Sequence, residues 1–198
     1  MKKQVIITIG REYGSAGHTV AEMLAEKLGM KCYDRKFLED HHDEIGYSRE
    51  ILLRFDEKPV NLFASRKVRS HTNSIESHVQ DKISEFITNK ADNGESFIVV
   101  GRCSDQIFRN NPNAIKVFIL AHEDDKVKHL MDVFGISKEQ ALAKMKRHDK
   151  KRKQYHNTYS DIKWGDSRGY DVCINSYQLG VEATVEILYD YVMRFKSE

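Results

Sequence analysis

Hydrophobic residues in this chain fall into short continuous runs that alternate with longer stretches of helical spacing. Residues 4–9 (QVIITI) and 96–100 (SFIVV) are continuous runs, typical of strands buried on both faces of a sheet. Residues 16–28 instead carry apolar side chains at helical spacing, and Gly29 follows as a C-cap. Further strands are predicted at 31–33, 115–120 and 171–175, and further helices at 105–109, 123–133, 137–155 and 181–195. This alternation predicts an α/β fold with a five-stranded parallel sheet flanked by helices.

Two stretches do not fit the plain alternation. Between the second and third strands, residues 37–53 predict a helix that breaks near Gly46, and a long helix is predicted over about 59–90. Before the fifth strand, a capping box that begins at Ser137 starts a helix that leads into a polar, irregular segment at 156–169. We therefore expect two insertions into the α/β core.

Composition and cysteine usage narrow the class of protein. The chain has 198 residues, of which 40% are hydrophobic, enough for one domain with a full α/β core. Its longest apolar runs are strand-length and too short to cross a membrane. Cys32, Cys103 and Cys173 are widely spaced and form no CxxC pattern. This spacing favours reduced thiols over disulfides or a zinc site, and reduced thiols are typical of a cytoplasmic protein.

A basic run precedes the irregular segment. It holds seven lysines and arginines between residues 144 and 153, against a single acid, Asp149. Three interpretations fit the run on its own: a solvated helix face, an anion-binding lid or a nucleic-acid patch. The net charge of only +2, and the lack of an aromatic-and-basic stripe, make the nucleic-acid interpretation the weakest.

Glycines cluster where the first predicted strand meets the first predicted helix. Residues 12–19 (EYGSAGHT) align with the phosphate-binding pattern GxxxxGK[ST]: Gly17 and Thr19 match, whereas Glu12 replaces the first glycine and His18 the lysine. A glycine-rich turn between a buried strand and a helix N-terminus still offers amides and a helix dipole to an anion. The predicted phosphate-binding residues are Gly10, Arg11, Gly14, Ser15, Ala16, Gly17, His18 and Thr19, with Thr19 also at the position of the hydroxyl that contacts Mg²⁺.

The missing lysine leaves the source of positive charge open. Phosphates beside His18 would raise the pKa of its imidazole and favour the charged form. Alternatively, Arg11 or Arg102 supplies the charge. The competing interpretation of the whole turn is that its glycines only permit tight packing between strand and helix.

Three further residues stand out after predicted strands or in the irregular segment. Arg102 follows the third strand through Gly101, at the carboxyl edge where open α/β sheets bind ligands, and is a candidate phosphate ligand. Asp34 follows the second strand and either contacts Mg²⁺ or a phosphoryl acceptor, or caps the next helix. Trp164 either stacks on a base or packs against the preceding helix, and packing is the favoured interpretation.

Motifs along most of the chain resemble those of the cytidylate-kinase-like proteins, relatives of the nucleoside monophosphate kinases. ITIGREYGSAGH (7–18) resembles this family's form of the phosphate-binding turn, in which histidine stands at the lysine position. The resemblance continues in order through YDRKFLE (33–39), VVGR (99–102), RHDKKRKQYHNTY (147–159), WGD (164–166) and YDVCINS (170–176). It implies an adenylate-kinase-like P-loop fold with a helical acceptor-binding insertion and a mobile lid.

The resemblance also implies boundaries for the parts of a single domain. The core would comprise residues 1–34, 94–143 and 170–198. The acceptor-binding insertion would lie at about 35–93 and the lid at about 144–169. Both ranges coincide with the two stretches that interrupt the strand–helix alternation.

Residue roles follow from the same resemblance. Arg147 and Arg152 resemble the lid arginines of cytidylate kinases, set in an RxDxxR arrangement, and cations of this kind stabilise charge on a moving phosphoryl group. Cys103 stands where true cytidylate kinases have an aspartate that helps to hold the acceptor, so the acceptor site departs from the family pattern. The implied acceptor ligands are Asp34, Arg35 and Arg102, and the implied catalytic group is His18, Arg102, Arg147 and Arg152.

The implied activity is transfer of the γ-phosphoryl group of ATP, with Mg²⁺, to CMP, dCMP or a related small acceptor. The missing lysine motivates an alternative, a nucleotide-binding regulatory module with little or no turnover. The expected partners are small-molecule nucleotides, with no membrane and no nucleic acid. The patterns favour neither a monomer nor an oligomer.

Overall fold

The described part of the chain forms seven strands and nine α-helices. The structure is a computed structural model that describes residues 3–55, 57, 67–68, 71–72 and 74–197, with only the backbone at 67–68 and 71–72. The strands are β1 (Ile6–Arg11), β2 (Lys31–Tyr33), β3 (Lys67–Val68), β4 (His71–Thr72), β5 (Phe97–Val100), β6 (Ala114–Leu120) and β7 (Val172–Asn175). The helices are α1 (Gly17–Leu28), α2 (Arg35–Asp40), α3 (His42–Ile45), α4 (Arg49–Phe55), α5 (Ile75–Asp92), α6 (Ser104–Ile107), α7 (Glu123–Phe134), α8 (Lys138–Tyr159) and α9 (Val181–Ser197).

Five of the strands form one parallel sheet, in the order β2-β5-β1-β6-β7. β1 lies at the centre, with β5 on one side and β6 on the other. The strand order reverses direction at β1, and in open α/β sheets such a point places a ligand crevice at the carboxyl ends of the strands. The predicted five-stranded parallel sheet is confirmed, and the glycine turn after β1 lies beside Arg102, which follows β5.

Hydrophobic side chains cover both faces of the sheet. On one face, Ile7 and Ile9 of β1 belong to a core cluster that includes Leu24 of α1 and residues of α9. On the other face, Ile6 belongs to a second cluster that includes Ile83 of α5. Because alternate residues of β1 enter opposite clusters, the continuous apolar run of the first strand is explained by burial on both sides.

A smaller cluster joins α7 to α8. It consists of four buried apolar residues: Val127, Leu130, Ala141 and Met145. α8 begins at the predicted capping box, in which the Gln140 N–H donates to Ser137 Oγ. The helix is 22 residues long, so its second half reaches the glycine turn, where Asp149 Oδ1 accepts a hydrogen bond from the Tyr13 N–H.

The bounds of one predicted helix are wrong. The helix predicted over about 59–90 is described only as α5, from Ile75 to Asp92, with Ser74 as its N-cap. β3 and β4 pair antiparallel where the predicted helix continues, and residues 58–66, where it began, lie outside the described residues. Apolar residues become dense only within α5, and helices in proteins depend on such a packing face.

α8 also differs from its prediction, because it continues to Tyr159 rather than ending at about Tyr155. Tyr155 and His156 are buried, so packing extends the helix into a stretch that the sequence marked as irregular. None of the helices in the described ranges has the length and apolar character that spanning a membrane requires.

Candidate functional site

The glycine turn connects β1 to α1 through residues 12–16. Ala16 has a left-handed backbone conformation (φ 52°) and is the N-cap of α1, but no side-chain hydrogen bond caps this helix. Ser15 is fully buried, and its hydroxyl lies 2.9 Å from the Glu12 carbonyl and 3.2 Å from the Ile119 carbonyl. Ser15 therefore stabilises the turn from the inside, while the first N–H groups of α1 remain for an external acceptor.

A cavity of about 260 Å³ opens at the start of α1. We call it the turn cavity. A β-carbon at position 17 would lie 2.6 Å from Arg11 Cβ, so only glycine lets α1 begin this close to the end of β1. The cavity combines backbone N–H groups, the positive end of the α1 dipole and two arginines, which together suit an anion. Its lining includes Arg11, Gly14, Ala16, Gly17, His18 and Thr19 from the turn and α1, His129, Val133 and Phe134 from α7, and Arg152 from α8.

Glu12, which replaces the first glycine of the phosphate-binding pattern, has a structural partner. Its Oε2 accepts hydrogen bonds from Lys126 Nζ at 2.8 Å and from the Ala121 N–H at 3.3 Å. The carboxylate therefore ties the turn to α7 and to the end of β6. It also engages Lys126, so this lysine does not take the place of the missing one.

His18, which replaces the lysine, lies between two carboxylates. Its Nε2 is 2.9 Å from Asp34 Oδ2, and its Nδ1 is 3.3 Å from Glu22 Oε2. The hydrogen bond with Asp34 is the main cause that raises the pKa of His18 above its ordinary value. These carboxylates favour the charged form of the His18 imidazole even when no phosphate is bound. The positive charge of His18 then pairs with the carboxylates of the protein.

Asp34 carries out the capping role that the sequence left as one alternative. Its Oδ1 accepts from the Phe37 N–H at 2.8 Å at the start of α2. Burial would raise the pKa of its carboxyl, but the hydrogen bonds from His18 and Phe37 outweigh burial and lower the pKa. Arg35 is exposed, donates hydrogen bonds to Glu39 Oε1 and to the Leu53 carbonyl, and is not among the described residues that line the turn cavity.

A second, much smaller cavity lies on the other side of Arg11, and we call it the arginine pocket. Its free volume is about 20 Å³. Arg102 points into it and is only 1% exposed. Glu57 Oε1 contacts the guanidinium groups of Arg11 and Arg102 at 3.2 and 3.1 Å. The lining includes Gly10, Arg11, Glu57, Gly101, Arg102, Cys103, Asp105, Arg152, Tyr155, His156, Trp164 and Tyr170.

α8 closes over the glycine turn through three neighbouring side chains. Asp149 accepts from the Tyr13 N–H at 2.7 Å, and the His148 imidazole stacks on the Tyr13 ring with centroids 4.1 Å apart. Arg152 lies over the same ring and donates to the Arg11 carbonyl at 3.2 Å. Burial is the main cause that lowers the pKa of the Arg152 guanidinium to about 10, so it remains charged at neutral pH.

The two arginines of the basic run occupy different positions. Arg152 lines both cavities, whereas Arg147 is exposed and lines neither of them within the described residues. Both lie on α8, which begins in the predicted core range and ends at Tyr159, within the predicted lid range. Arg152 is therefore the one of the two arginines that is placed to contact an anion in either cavity.

Two groups of side chains among the described residues bring potential metal-ligand atoms together. One is Cys103, Asp105 and His156, and the other is His18, Glu22 and Asp34, each with its ligand atoms within 4.8 Å of one another. In the first group, His156 Nε2 is 2.7 Å from Asp105 Oδ2, and burial raises the pKa of the Cys103 thiol. In this group, His156 and Asp105 are therefore paired with each other, and burial keeps the Cys103 thiol protonated.

Trp164 packs edge-on against Phe118 of β6, and its backbone N–H donates to Asn157 Oδ1 of α8. Its ring therefore packs against a strand rather than against the preceding helix, and it also lines the arginine pocket.

Comparison with known proteins shows which family this chain belongs to. The model of the cytidylate kinase-like family matches residues 6–178. The chain belongs to the cytidylate kinase-like family. A crystal structure described as an uncharacterized protein from Eubacterium ventriosum is 35% identical to it, covers 96% of this chain and 98% of its own, and superimposes with a TM-score of 0.75.

Solved kinases share the fold of this cytidylate kinase-like protein. A gluconokinase from Sinorhizobium meliloti is 14% identical, with a TM-score of 0.58 and coverage of 100% of this chain and 96% of its own. A shikimate kinase from Bacteroides thetaiotaomicron is 13% identical, with a TM-score of 0.55 and coverage of 96% and 98%. At these identities the likeness concerns the fold alone. No match was found among curated proteins.

Membership of the cytidylate kinase-like family, together with the P-loop kinase fold, supports a phosphotransferase that binds nucleotides.

Among the charged side chains that the structure describes in the site, Glu57 is one that the sequence patterns missed. Glu57 lies in a stretch without a recognisable motif, and its distance along the chain from Arg11 and Arg102 gives no indication of contact. The available signal was indirect: Gly101 before Arg102 is the kind of position that permits a close approach to the backbone.

Proposed function

We propose that this protein is an ATP-dependent phosphotransferase that moves the γ-phosphoryl group of ATP to CMP, dCMP or a related small phosphorylated acceptor. The observation that carries the proposal is the position of Arg11 and Arg152, which line both the turn cavity and the arginine pocket. A phosphoryl group that passes between the two cavities would remain in contact with these guanidinium groups. Cations aimed at the moving group are the main requirement of phosphoryl transfer.

The donor end of the reaction fits the turn cavity. The start of α1, which no side chain caps, offers N–H groups to the phosphates, and the volume of about 260 Å³ leaves room for them. Thr19 is exposed in this cavity at the position of a magnesium-binding hydroxyl. When bound, Mg²⁺ would neutralise charge on the nucleotide phosphates, and Thr19 is the residue that would hold it.

The acceptor end fits the arginine pocket. Arg102 provides a buried guanidinium and a backbone N–H at the same place, a combination that suits a phosphate oxygen. In the transfer, an acceptor phosphate oxygen forms a bond to the γ-phosphorus as the bond to the leaving oxygen of ADP breaks. A phosphate monoester is already ionised at neutral pH, since its second pKa is about 6, so this acceptor needs no general base.

The direct test is a coupled ADP-release assay with ATP and Mg²⁺ across CMP, dCMP, UMP and other nucleoside monophosphates. We expect turnover with at least one of them and little ADP release without an acceptor. Calorimetry with ATP alone runs beside it. ATP binding without turnover on any acceptor would contradict the kinase proposal.

A second candidate is a nucleotide-binding regulatory module with little or no turnover. Two observations favour it: His18 is engaged by Asp34 and Glu22, and Glu57 fills the arginine pocket. The pair of measurements above separates the candidates, because a module would retain ATP affinity in calorimetry and release no ADP with any acceptor.

A further inference from the structure

The carboxylate of Glu57 occupies an oxyanion position in the arginine pocket. Its Oε1 lies 3.2 Å from Arg11 Nη1, 3.1 Å from Arg102 Nη1 and 3.0 Å from the Arg102 backbone nitrogen. The Arg11 guanidinium and the Arg102 amide donate hydrogen bonds to this oxygen, and the Arg102 guanidinium forms an ion pair with it, as these groups would with an oxygen of a bound phosphate. Glu57 follows α4, so this carboxylate comes from the predicted acceptor-binding insertion rather than from the core.

The turn that receives this oxygen has an unusual backbone. Gly101, Arg102 and Cys103 have φ values of 74°, 59° and 54°, all in the left-handed region, which is unfavourable for residues with a β-carbon. This conformation directs the Arg102 N–H at Glu57 Oε1. A β-carbon at position 101 would overlap with that oxygen and with Arg11 Nη1. The strained segment is therefore the surface that contacts the anion.

Three guanidinium groups act on the carboxylate of Glu57. Burial alone would raise the pKa of the Glu57 carboxyl, but Arg11, Arg102 and Arg152 outweigh burial and hold this pKa well below its ordinary value. Asp105, another carboxylate among the described residues of the lining, is hydrogen-bonded to His156. The same guanidinium groups would attract a phosphate with two negative charges more strongly than they attract the single charge of Glu57.

The volume of the pocket makes the two anions mutually exclusive. With Glu57 in place, the arginine pocket has about 20 Å³ of free space, enough for about one water molecule. A phosphate group therefore cannot contact Arg102 beside the carboxylate and has to replace it.

We propose that Glu57 is an internal competitor that occupies the phosphate position of the acceptor until a substrate phosphate displaces it. The identity of the incoming group rests on the proposed function, whereas the anion position rests only on the contacts of Arg11 and Arg102. An incoming ligand shifts this equilibrium only by its stronger interaction with the pocket. Competition with Glu57 thus weakens the binding of every anion to the pocket, and a doubly charged phosphate displaces Glu57 more readily than a singly charged carboxylate does.

The test measures the binding of inorganic phosphate to the full chain by calorimetry, without ATP. Glu57→Gln keeps the size of the side chain and removes its charge, so we expect phosphate to bind roughly tenfold more tightly or better. Glu44→Gln is the matched control, since Glu44 belongs to the same insertion and pairs with Lys90 outside the pocket. The control should bind phosphate as the wild type does.

A double variant tests whether the added phosphate affinity depends on Arg102. Glu57→Gln with Arg102→Gln should lose the added affinity, because it removes the buried guanidinium that pairs with the anion in the pocket. Glu57→Ala, checked for native folding by circular dichroism, repeats the test should Glu57→Gln fold poorly. Unchanged or weaker phosphate binding in folded Glu57 variants would overturn the inference even if the enzyme turns over. Tighter binding without any turnover would leave the inference standing and reject the kinase proposal.

Discussion

The turn cavity and the arginine pocket lie on either side of Arg11, yet they differ in how they are built. The turn cavity has about 260 Å³, and its backbone N–H groups come from one continuous segment, the glycine turn and the start of α1, while α7 and Arg152 of α8 complete its lining. The arginine pocket has about 20 Å³ and requires β1, the turn after β5, Glu57 and α8 to meet. The N–H donors of the first cavity are formed by local sequence, whereas the charged groups of the second come from distant segments and include an anion of the protein.

This difference suggests that the two ends of the proposed reaction are controlled in different ways. A nucleotide phosphate can enter the turn cavity with little rearrangement, because its N–H donors have no side-chain cap. A phosphate that enters the arginine pocket has to displace Glu57. We therefore expect substitutions at the shared boundary of the cavities to affect turnover most, and substitutions at the outer contacts to affect stability or local opening.

The largest effect is expected from Arg152→Ala. Arg152 lines both cavities, so its loss should reduce turnover by roughly 10²–10³-fold while ATP affinity changes much less. The coupled ADP-release assay and calorimetry measure the two quantities. Lys153→Ala, an exposed neighbour on α8, is the control and should keep its activity. Equal losses of turnover and ATP affinity would mean that Arg152 serves only the turn cavity.

A smaller but clear loss of stability is expected from Gly101→Ala. The substitution places a β-carbon at φ 74° and against both Glu57 Oε1 and Arg11 Nη1. We expect the free energy of unfolding to fall by about 2–3 kcal/mol in urea denaturation.

Gly29→Ala is the matched control, because Gly29 has φ 63° and nothing within 4 Å of its would-be β-carbon. It should cost only about 1 kcal/mol, the contribution of the backbone conformation alone. Equal costs for the two glycine variants would show that Glu57 does not press on this turn and would weaken the contrast between the cavities.

Asp149→Ala should loosen the contact between α8 and the glycine turn. It leaves the Tyr13 N–H without its 2.7 Å acceptor, which is worth about 1–2 kcal/mol for a charge-assisted hydrogen bond. We expect the Tyr13 amide to exchange with solvent about tenfold faster, measured by hydrogen exchange with NMR. Asp132→Ala, at an exposed position of α7, is the control. Unchanged exchange at Tyr13 would indicate that stacking and Arg152 hold α8 without Asp149.

The mildest effect concerns the pH dependence of the same contact. Burial against Tyr13 is the main cause, with Arg152 and other cations, that lowers the pKa of His148 to about 4. An unfolded histidine has a pKa of about 6.5, so between these values the unfolded chain takes up a proton that the folded chain does not. Stability should therefore fall as the pH drops through this interval, and NMR should show a neutral His148 down to about pH 4. His148→Asn should flatten this part of the stability profile; an unchanged slope would assign it to other groups.

The sequence predicted the contiguous parts of the site well. The five strands, the glycine turn, the α1 C-cap and the Ser137 capping box follow from patterns between near neighbours, and the structure contains them. The capping alternative for Asp34 is also present. The prediction failed at 67–68 and 71–72, where a helix was expected, because sparse apolar spacing was extended backwards from a stretch that does pack.

The partners of individual side chains were less predictable. The sequence could not assign His18 to Asp34 and Glu22, or separate Arg152 from Arg147, because helical spacing gives relative faces and not what those faces contact. The roles proposed for Arg35, Arg102, Arg147 and Arg152 remain predictions for the kinetic tests. Only the placement of α8 against the glycine turn distinguishes Arg152, which is partly buried and lines both cavities, from the exposed Arg147.

The chain by itself determined the α/β architecture and the glycine turn after β1, because both depend on hydrogen bonds and burial patterns within a few neighbouring residues. Only the tertiary structure decided that Glu57 occupies the arginine pocket. Glu57 lies 45 positions from Arg102 and 46 positions from Arg11 along the chain. The three residues meet because α4 and the left-handed turn after β5 bring their opposite charges together. Charge attraction acts over distances in space, and the folded backbone alone fixes those distances.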